Sequence, residues 1–348
     1  MNDRINRRQF LKGMGATFPL VALQMYSAGR ALQEISSFAT AARPNILILV
    51  FDTLSAVHLS FHDYARQTAP NLSRFAERAN VYHNHYAGGN FTSSGTASLL
   101  TATYPWTHRA LHLNSTIVEG QAQQNMFSTF DDDYFKIAYT HNPLAADLLH
   151  QFQEGIDQLK PMHELLIRDS MFAERLFPND YTISNQAEKR IWGHQPGRAS
   201  SFALSIADRI GRFEVQGRQL KREYEDLFPL GLPNFAGQYF KLEDVVDWLT
   251  TALYSLPQPF LAYVHVLPPH SPYMTRKEFY DLFAADNLNP VEKPLHYSEK
   301  NKNQKRMNEA RQYYDEFILY TDAEFGRLMD QLNQGALLNN TITMVTSD

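Results

Sequence analysis

A hydroxyl-rich segment between Asn90 and Pro105, which reads NFTSSGTASLLTATYP, is a place where covalent chemistry could occur. Small polar residues from Thr92 to Thr96 precede a short apolar run, and this is the pattern of a helix N-terminus. Such an end presents free backbone N–H groups and the positive end of the helix dipole, so it favours phosphate or sulfate groups. A hydroxyl placed there is a candidate nucleophile. The alternative is an ordinary helix cap with no chemical role.

Three further polar residues follow apolar runs that are typical of buried strands. Asp52 ends the run PNILILVFD, and Asp348 ends the run TITMVTSD. His270 lies in a proline-rich loop just after the run PFLAYVHV. In open α/β sheets ligands bind at the carboxyl ends of the strands, so these side chains are candidates for one site. A solvated loop aspartate and a structural histidine are the alternatives.

Two carboxylates, a hydroxyl and a histidine together describe a metal site with an alkoxide nucleophile. Asp52 and Asp348 would hold one divalent cation, which would stabilise Thr92 as an alkoxide and polarise the ester oxygens. His270 would bind a substrate oxygen or protonate the leaving group. The chain has no cysteine, which excludes thiolate zinc sites and cysteine nucleophiles. Mn²⁺, Mg²⁺, Ca²⁺ and Zn²⁺ all remain open, because oxygen-rich sites separate these ions mainly by geometry.

Four segments resemble, in the same order, motifs of the sulfatase-like branch of the alkaline phosphatase superfamily. RPNILILVFD resembles the opening strand with its metal-ligand aspartate, and NFTSSGTASLLTATYP resembles the nucleophile segment. VHVLPPHSPY resembles the family's Asp-Pro-His-x-Pro-Tyr segment, with Pro268 where the aspartate would stand. Residues 313–348 resemble the helix and strand that lead into its Ser-Asp-His-Gly motif. The resemblance implies an α/β fold with a mainly parallel central sheet flanked by helices.

The same resemblance implies a role for single residues. It implies that Asp52, Thr92 and Asp348 are metal ligands, that Thr92 is also the nucleophile, and that His270 contacts the substrate. It further implies that the C-terminal part of the fold is missing, because the sequence stops where the family supplies a histidine ligand. We therefore expect an incomplete α/β domain over 42–348, with a variable helical insert over 160–245 around the substrate.

The nucleophile segment departs from that of true sulfatases. They carry Cys or Ser, oxidised to formylglycine, within a Cys/Ser-x-Pro-x-Arg motif, whereas this chain has Thr92, Ser94 and Thr96 at those positions. In addition Asp52 is followed by Thr53 rather than by a second acidic residue. Threonine cannot become formylglycine, which favours relatives that act on phosphate esters. We predict an exported, metal-dependent hydrolase or transferase of phosphate esters. The alternatives are a sulfuric ester hydrolase and a non-catalytic, ester-binding pseudoenzyme.

Strands that alternate with helices would position these residues in a mainly parallel sheet. Apolar runs predict strands at 44–52, 136–140, 259–266 and 341–348. Helical periodicity predicts helices at 70–78, 144–152, 242–256 and 307–332. Val81 to Tyr86 alternates like a strand, and its His83 and His85 would form a second metal pair or a half-exposed strand face.

The N-terminal residues predict export. Arg7 and Arg8, in NRRQFLK, precede a weakly apolar segment from Met14 to about Tyr26, which is the pattern of a twin-arginine signal. A basic amphipathic helix is the alternative. We expect 1–41 to be signal peptide and linker, the twin-arginine export machinery to be a partner, and the mature protein to be periplasmic or extracellular. The segment is too short for a stable membrane span. A net charge of -5 over 348 residues argues against a nucleic-acid partner.

Overall fold

The computed structural model describes residues 43–168, 217–235, 237–286, 288 and 304–348. The predicted signal peptide and linker at 1–41 lie outside the described residues, as does most of the predicted insert at 160–245. The elements from Asn45 to Asp348 belong to one unit of the chain. Among the described residues, none of the helices is both long enough and apolar enough to span a membrane.

The strands of the described residues build one parallel and one antiparallel sheet. In chain order they are β1 (Asn45–Phe51), β2 (Phe135–Thr140), β3 (Gln158–Leu159), β4 (Leu166–Arg168), β5 (Asn234–Phe235), β6 (Gln238–Phe240), β7 (Phe260–Val266) and β8 (Thr341–Thr346). The central sheet has the order β3–β2–β7–β1–β8, and its neighbouring strands are parallel. A smaller antiparallel sheet has the order β4–β6–β5.

In the part of the chain that the structure describes, helices flank the central sheet. In chain order they are α1 (Pro70–Ala76), α2 (Thr92–Thr101), α3 (Pro105–His108), α4 (Glu119–Ala122), α5 (Met126–Thr129), α6 (Pro143–Gln151), α7 (Gly217–Tyr224), α8 (Leu242–Ser255) and α9 (Gln304–Gln334). Short 3₁₀ segments lie at Ala56–His58, Ser60–His62, Gln153–Gly155, Met162–Leu165, Lys277–Phe279 and Leu337–Asn340.

Strand β1 is buried along its whole length and divides the core into two hydrophobic clusters. Successive side chains of a strand point to opposite faces of the sheet. Accordingly Leu47, Leu49 and Phe51 belong to the cluster that contains apolar residues of α8 and α9. Ile46 and Val50 belong to the cluster that contains apolar residues of α2 and α6. Helices therefore cover both faces of the sheet, which explains why β1 reads as a continuous apolar run.

The sequence predicted this α/β architecture, and the parallel sheet with flanking helices confirms it. One predicted strand is wrong. Residues Val81 to Tyr86, all described, form a turn and irregular backbone, and Tyr82 and Tyr86 are strongly exposed. Alternation alone does not make a strand when no neighbouring strand supplies hydrogen bonds. In the predicted helical insert, the described residues form α7 and the antiparallel sheet. The strands of this sheet are two or three residues long, which is too short for a periodic pattern to appear in the sequence.

Candidate active site

The two candidate carboxylates meet at the carboxyl edge of the central sheet. Strands β1 and β8 are parallel neighbours, with Val50 in register with Thr346. Asp52 directly follows β1 and is completely buried, and Asp348 follows β8 with a side chain that is 3% exposed. The sequence placed both residues at strand ends, and the sheet order brings these ends together.

His265 completes the cluster from the neighbouring strand β7. Its Nε2 atom lies 3.7 Å from Asp52 Oδ2 and 3.7 Å from Asp348 Oδ2, and the imidazole is fully buried. One ligand atom from each of the three residues lies within 4.8 Å of the others. In the sheet, His265 is in register with Val50 of β1, so its side chain reaches the edge where Asp52 lies. The three side chains form a compact group of potential metal ligands.

The charges within this cluster oppose the effect of burial on the histidine. Burial lowers the pKa of His265, but the charges of Asp348 and Asp52 outweigh it and raise the pKa above the ordinary value. Burial raises the pKa of Asp348, and neighbouring Asp52 raises it further, while His265 acts in the opposite direction. The buried carboxylate of Asp348 therefore depends on nearby positive charge.

The donor set fits a divalent cation. Asp52 Oδ1 and His265 Nε2 are buried and have no hydrogen-bond partner among the described residues. Buried polar atoms without partners are rare, and an ion is one of the explanations for them. The Tyr263 hydroxyl lies 3.4 Å from His265 Nδ1. If Nδ1–H donates to that oxygen, Nε2 keeps the lone pair that a metal ligand needs. Oxygen and imidazole ligands suit several divalent metals.

Thr92 stands beside this cluster as the first residue of α2. Its Oγ1 atom lies 3.5 Å from Asp52 Oδ2 and 3.4 Å from the Nδ2 atom of Asn142. Asn142 caps α6 by accepting hydrogen bonds from the N–H groups of Leu144 and Ala145. The Nδ2 atom of the same side chain donates to Asp52 Oδ2. Asn142 therefore joins a helix cap to the hydroxyl and carboxylate of the site.

The carboxylate of Asp348 accepts hydrogen bonds from the loop after β1 and from helix α2. Its Oδ1 atom accepts from the Thr53 N–H at 3.2 Å, and its Oδ2 atom accepts from the Thr96 hydroxyl at 3.3 Å. Gly95 lies against its backbone, and a Cβ atom at that glycine would stand 2.1 Å from the Asp348 carbonyl oxygen. The first turn of α2 can approach the end of β8 this closely only because position 95 has no side chain.

The structure does not bring His270 into the group of three potential ligands. Its half-buried ring lies 5.5 Å from that of Phe235, and its Nδ1–H donates to the Ser271 carbonyl at 2.6 Å. This hydrogen bond fixes the orientation of the imidazole on its loop. The predicted contact with the substrate stays a prediction.

Sequence reasoning missed two residues of the site, His265 and Asn142. A buried polar residue near the end of an apolar strand was the available signal for His265, but a core histidine has the same appearance in the sequence. Asn142 precedes Pro143 and carries the signal of a helix cap. Its second contact, with Asp52, depends on the neighbouring strand and leaves no local signal.

A family model described as Sulfatase matches residues 44–157 and 205–348, which is most of the chain. The chain belongs to the sulfatase family. A choline-sulfatase of Rhizobium meliloti (strain 1021) is 23% identical over 329 residues, a match that covers 89% of this chain and 58% of the relative.

Solved structures agree with the fold. The phosphonate monoester hydrolase of Agrobacterium radiobacter aligns with a TM-score of 0.54 and 16% identity, over 88% of this chain and 62% of that one. The phosphonate monoester hydrolase of Silicibacter pomeroyi gives a TM-score of 0.54 and 14% identity, with the same coverage of both chains. The chain thus spans about three fifths of the length of the relatives that it matches.

Proposed function

We propose that this protein is a metal-dependent ester hydrolase or transferase in which Thr92 is the nucleophile and phosphate esters are the preferred substrates. The observation that carries the proposal is the position of the Thr92 hydroxyl, 3.5 Å from a carboxylate of the buried Asp52–His265–Asp348 cluster. Membership of the sulfatase family supports ester chemistry. Asp52, His265 and Asp348 would hold the cation, with Thr92 as a further oxygen ligand.

The residues around Thr92 prepare it for attack on a phosphorus atom. Its hydroxyl oxygen lies 3.5 Å from Asp52 Oδ2 and 3.4 Å from Asn142 Nδ2, so a proton acceptor and a donor both stand beside it. A bound divalent cation would favour the alkoxide form of this oxygen and polarise the ester oxygens. With its proton passed to solvent, the Thr92 oxygen would form a bond to phosphorus while the bond to the leaving alkoxide breaks, and that alkoxide would take a proton from water or from His270. Water or an acceptor alcohol releases the phosphoryl group from Thr92 in a second step.

Two further elements support this chemistry. Thr92 is the first residue of α2, so negative charge that develops beside its hydroxyl lies at the positive end of the helix dipole. We propose that His270 contacts a substrate oxygen, or gives a proton to the leaving group when it is charged. Its Nδ1 atom is engaged with Ser271, which leaves Nε2 as the atom for that contact.

Sulfate esters are the second candidate substrates. The curated relative is named as a choline-sulfatase, and this observation favours sulfate. Thr92 argues against sulfate ester substrates, because threonine cannot become the formylglycine that the resemblance associates with true sulfatases. The two relatives named as phosphonate monoester hydrolases share the fold, but at 16% and 14% identity they do not decide between the substrates.

The test is an activity screen of the purified protein with matched aryl phosphodiester, phosphomonoester and sulfate ester substrates. Each substrate is assayed with Mn²⁺, Mg²⁺, Ca²⁺ or Zn²⁺ and after chelation. We expect phosphate ester cleavage that requires a cation and falls at least about a thousandfold in Thr92→Ala. Thr92→Ser keeps a hydroxyl and should retain a measurable part of the activity.

Three outcomes would contradict the proposal. Unchanged turnover in Thr92→Ala would overturn the threonine mechanism. Cleavage of the sulfate ester alone would make the protein a sulfatase with a nucleophile other than the one proposed. A folded protein that binds an ester but cleaves none of these substrates, with or without an acceptor alcohol, would favour the pseudoenzyme.

We also propose that the protein is exported by the twin-arginine machinery to the periplasm or beyond. The support is the pattern of Arg7 and Arg8 ahead of a weakly apolar segment, and these residues lie outside the described part of the structure. Residues 1–41 fused to a folded reporter should direct its export. The double change Arg7→Lys and Arg8→Lys should retain the reporter in the cytoplasm, and export that survives this change would contradict the proposal.

A further inference from the structure

The residues directly after Asp52 are held by Tyr314, a side chain of the long helix α9. The Tyr314 hydroxyl donates to the Thr53 carbonyl at 2.6 Å and accepts from the Ser55 N–H at 2.9 Å. Tyr314 is separated from these residues by more than 250 positions in the chain, so only the tertiary structure brings them together. One phenol thus closes both ends of a three-residue segment directly after a candidate metal ligand.

Thr53 has a backbone conformation that its side chain disfavours. Its φ angle is 58°, in the left-handed region, which is unusual for a β-branched residue. Such strain persists where surrounding contacts over-determine the conformation, and it is concentrated at functional sites. The two hydrogen bonds of Tyr314 are such contacts, because they engage the carbonyl of Thr53 itself and the N–H two residues later.

This conformation determines the direction of the Thr53 N–H group. Its N–H donates to Asp348 Oδ1 at 3.2 Å, and Asp348 is one of the three potential metal ligands. The contacts therefore form a chain from the Tyr314 hydroxyl through the strained Thr53 peptide to the Asp348 carboxylate. A change in the conformation of Thr53 would withdraw the N–H that orients this carboxylate.

The ring of Tyr314 is fixed by its own surroundings. It packs edge-on against His58 at 5.0 Å and lies 5.2 Å from Tyr273, which belongs to the loop that carries His270. The adjacent Asp315 accepts from His58 Nδ1 at 2.6 Å and anchors this part of α9. The phenol is thus a rigid support rather than a mobile surface group.

We infer that Tyr314 is a positioning residue for the metal site: its hydroxyl holds Thr53 in the left-handed conformation that directs a backbone N–H to Asp348. The inference rests on the proposed function, because it assigns Tyr314 a role in cation binding by the same cluster. Groups that orient metal ligands typically affect metal affinity by about 10- to 100-fold. We expect the effect of Tyr314→Phe to lie at the lower end of this range, with an approximately tenfold weaker affinity for the cation.

The experiment measures Mn²⁺ binding by calorimetry, with free Mn²⁺ followed by electron paramagnetic resonance. It compares the unmodified protein with Tyr314→Phe, Thr53→Gly and the double variant. Tyr313→Phe is the matched control, because Tyr313 lies on the same helix and stacks on Tyr280 instead. Glycine adopts positive φ without strain, so Thr53→Gly should restore most of the affinity that Tyr314→Phe loses. If the Tyr314 hydroxyl only stabilised the fold, a glycine at position 53 would not restore the Mn²⁺ affinity.

The outcomes separate this inference from the proposed function. Tenfold weaker binding in Tyr314→Phe, normal binding in Tyr313→Phe and recovery in the double variant would support it. Equal affinity in Tyr314→Phe and the unmodified protein would overturn the inference and leave the proposed function standing. Loss of the cooperative thermal transition in Tyr314→Phe would also overturn it, since the hydroxyl would then support the fold. An unmodified protein that binds none of Mn²⁺, Mg²⁺, Ca²⁺ and Zn²⁺ in the same titration would overturn both.

Discussion

The close approach of Gly95 to Asp348 gives a sharp test of the site. In Gly95→Ala the new Cβ atom would stand 2.1 Å from the Asp348 carbonyl oxygen, whereas ordinary contacts begin near 3.4 Å. The two backbones must therefore separate by more than 1 Å. Asp348 would move with its backbone, away from the Thr53 N–H and the Thr96 hydroxyl that hold its carboxylate.

We expect Gly95→Ala to change the free energy of unfolding only slightly, because helix propensity and overpacking act in opposite directions. Alanine is favoured over glycine inside a helix by ~1 kcal/mol. Overpacking in a closed site typically costs ~1–3 kcal/mol. The net change in the free energy of unfolding of Gly95→Ala without metal should therefore be at most about 2 kcal/mol. Cation binding should suffer more, with affinity reduced by at least about tenfold, because a ligand has been displaced.

The assay is thermal unfolding with and without Mn²⁺. At a free concentration of 100 times Kd, Mn²⁺ should stabilise the unmodified protein by ~2.7 kcal/mol, and a tenfold weaker Kd reduces this to ~1.4 kcal/mol. Gly120→Ala is the matched control, because a Cβ atom at Gly120 meets nothing within 4 Å. It should keep the full metal-dependent shift. An equal shift in Gly95→Ala would refute the reasoning that Asp348 is a metal ligand placed by this contact.

Two other predictions concern the surroundings of the site. Burial lowers the pKa of His141 to about 3, so the folded imidazole stays neutral while the unfolded one binds a proton below pH 6.5. This residue should therefore cost ~2 kcal/mol of stability between pH 8 and pH 5, and urea titrations of His141→Gln should lack that part of the decline. Asn142→Ser keeps a helix-capping side chain but loses the donor to Asp52. Its melting temperature should stay nearly unchanged while turnover falls several-fold, and an equal turnover would show that this donor is dispensable.

Much of the sheet could be predicted from the sequence because its strands are buried on both faces. The apolar runs that end at Asp52 and Asp348 correspond to β1 and β8, with both carboxylates at the strand ends. Parallel strands place their carboxyl ends at one edge, so their meeting followed from the fold class. The helix that begins at Thr92 was also marked by its small polar residues.

Other parts of the site could not be predicted, since the deciding contacts are not local. His265 becomes a potential ligand only because β7 pairs with β1 in the register that sets it opposite Val50. The prediction of a strand at 81–86 was wrong for a related reason. A strand forms where a neighbouring strand pairs with it, and alternation of side chains does not provide that partner. His83 shows the same limit: its Nδ1 atom lies 3.3 Å from that of His62, a contact between distant segments that the sequence did not indicate.

The sequence by itself determined the α/β class, the order of its elements and the side chains that end β1 and β8. Burial and periodicity are local properties, so they are written along the chain. Only the tertiary structure decided that His265 joins Asp52 and Asp348, and that Tyr314 supports Thr53 from a helix more than 250 residues away. These contacts depend on strand order and helix packing, which arise from the whole core rather than from any single segment.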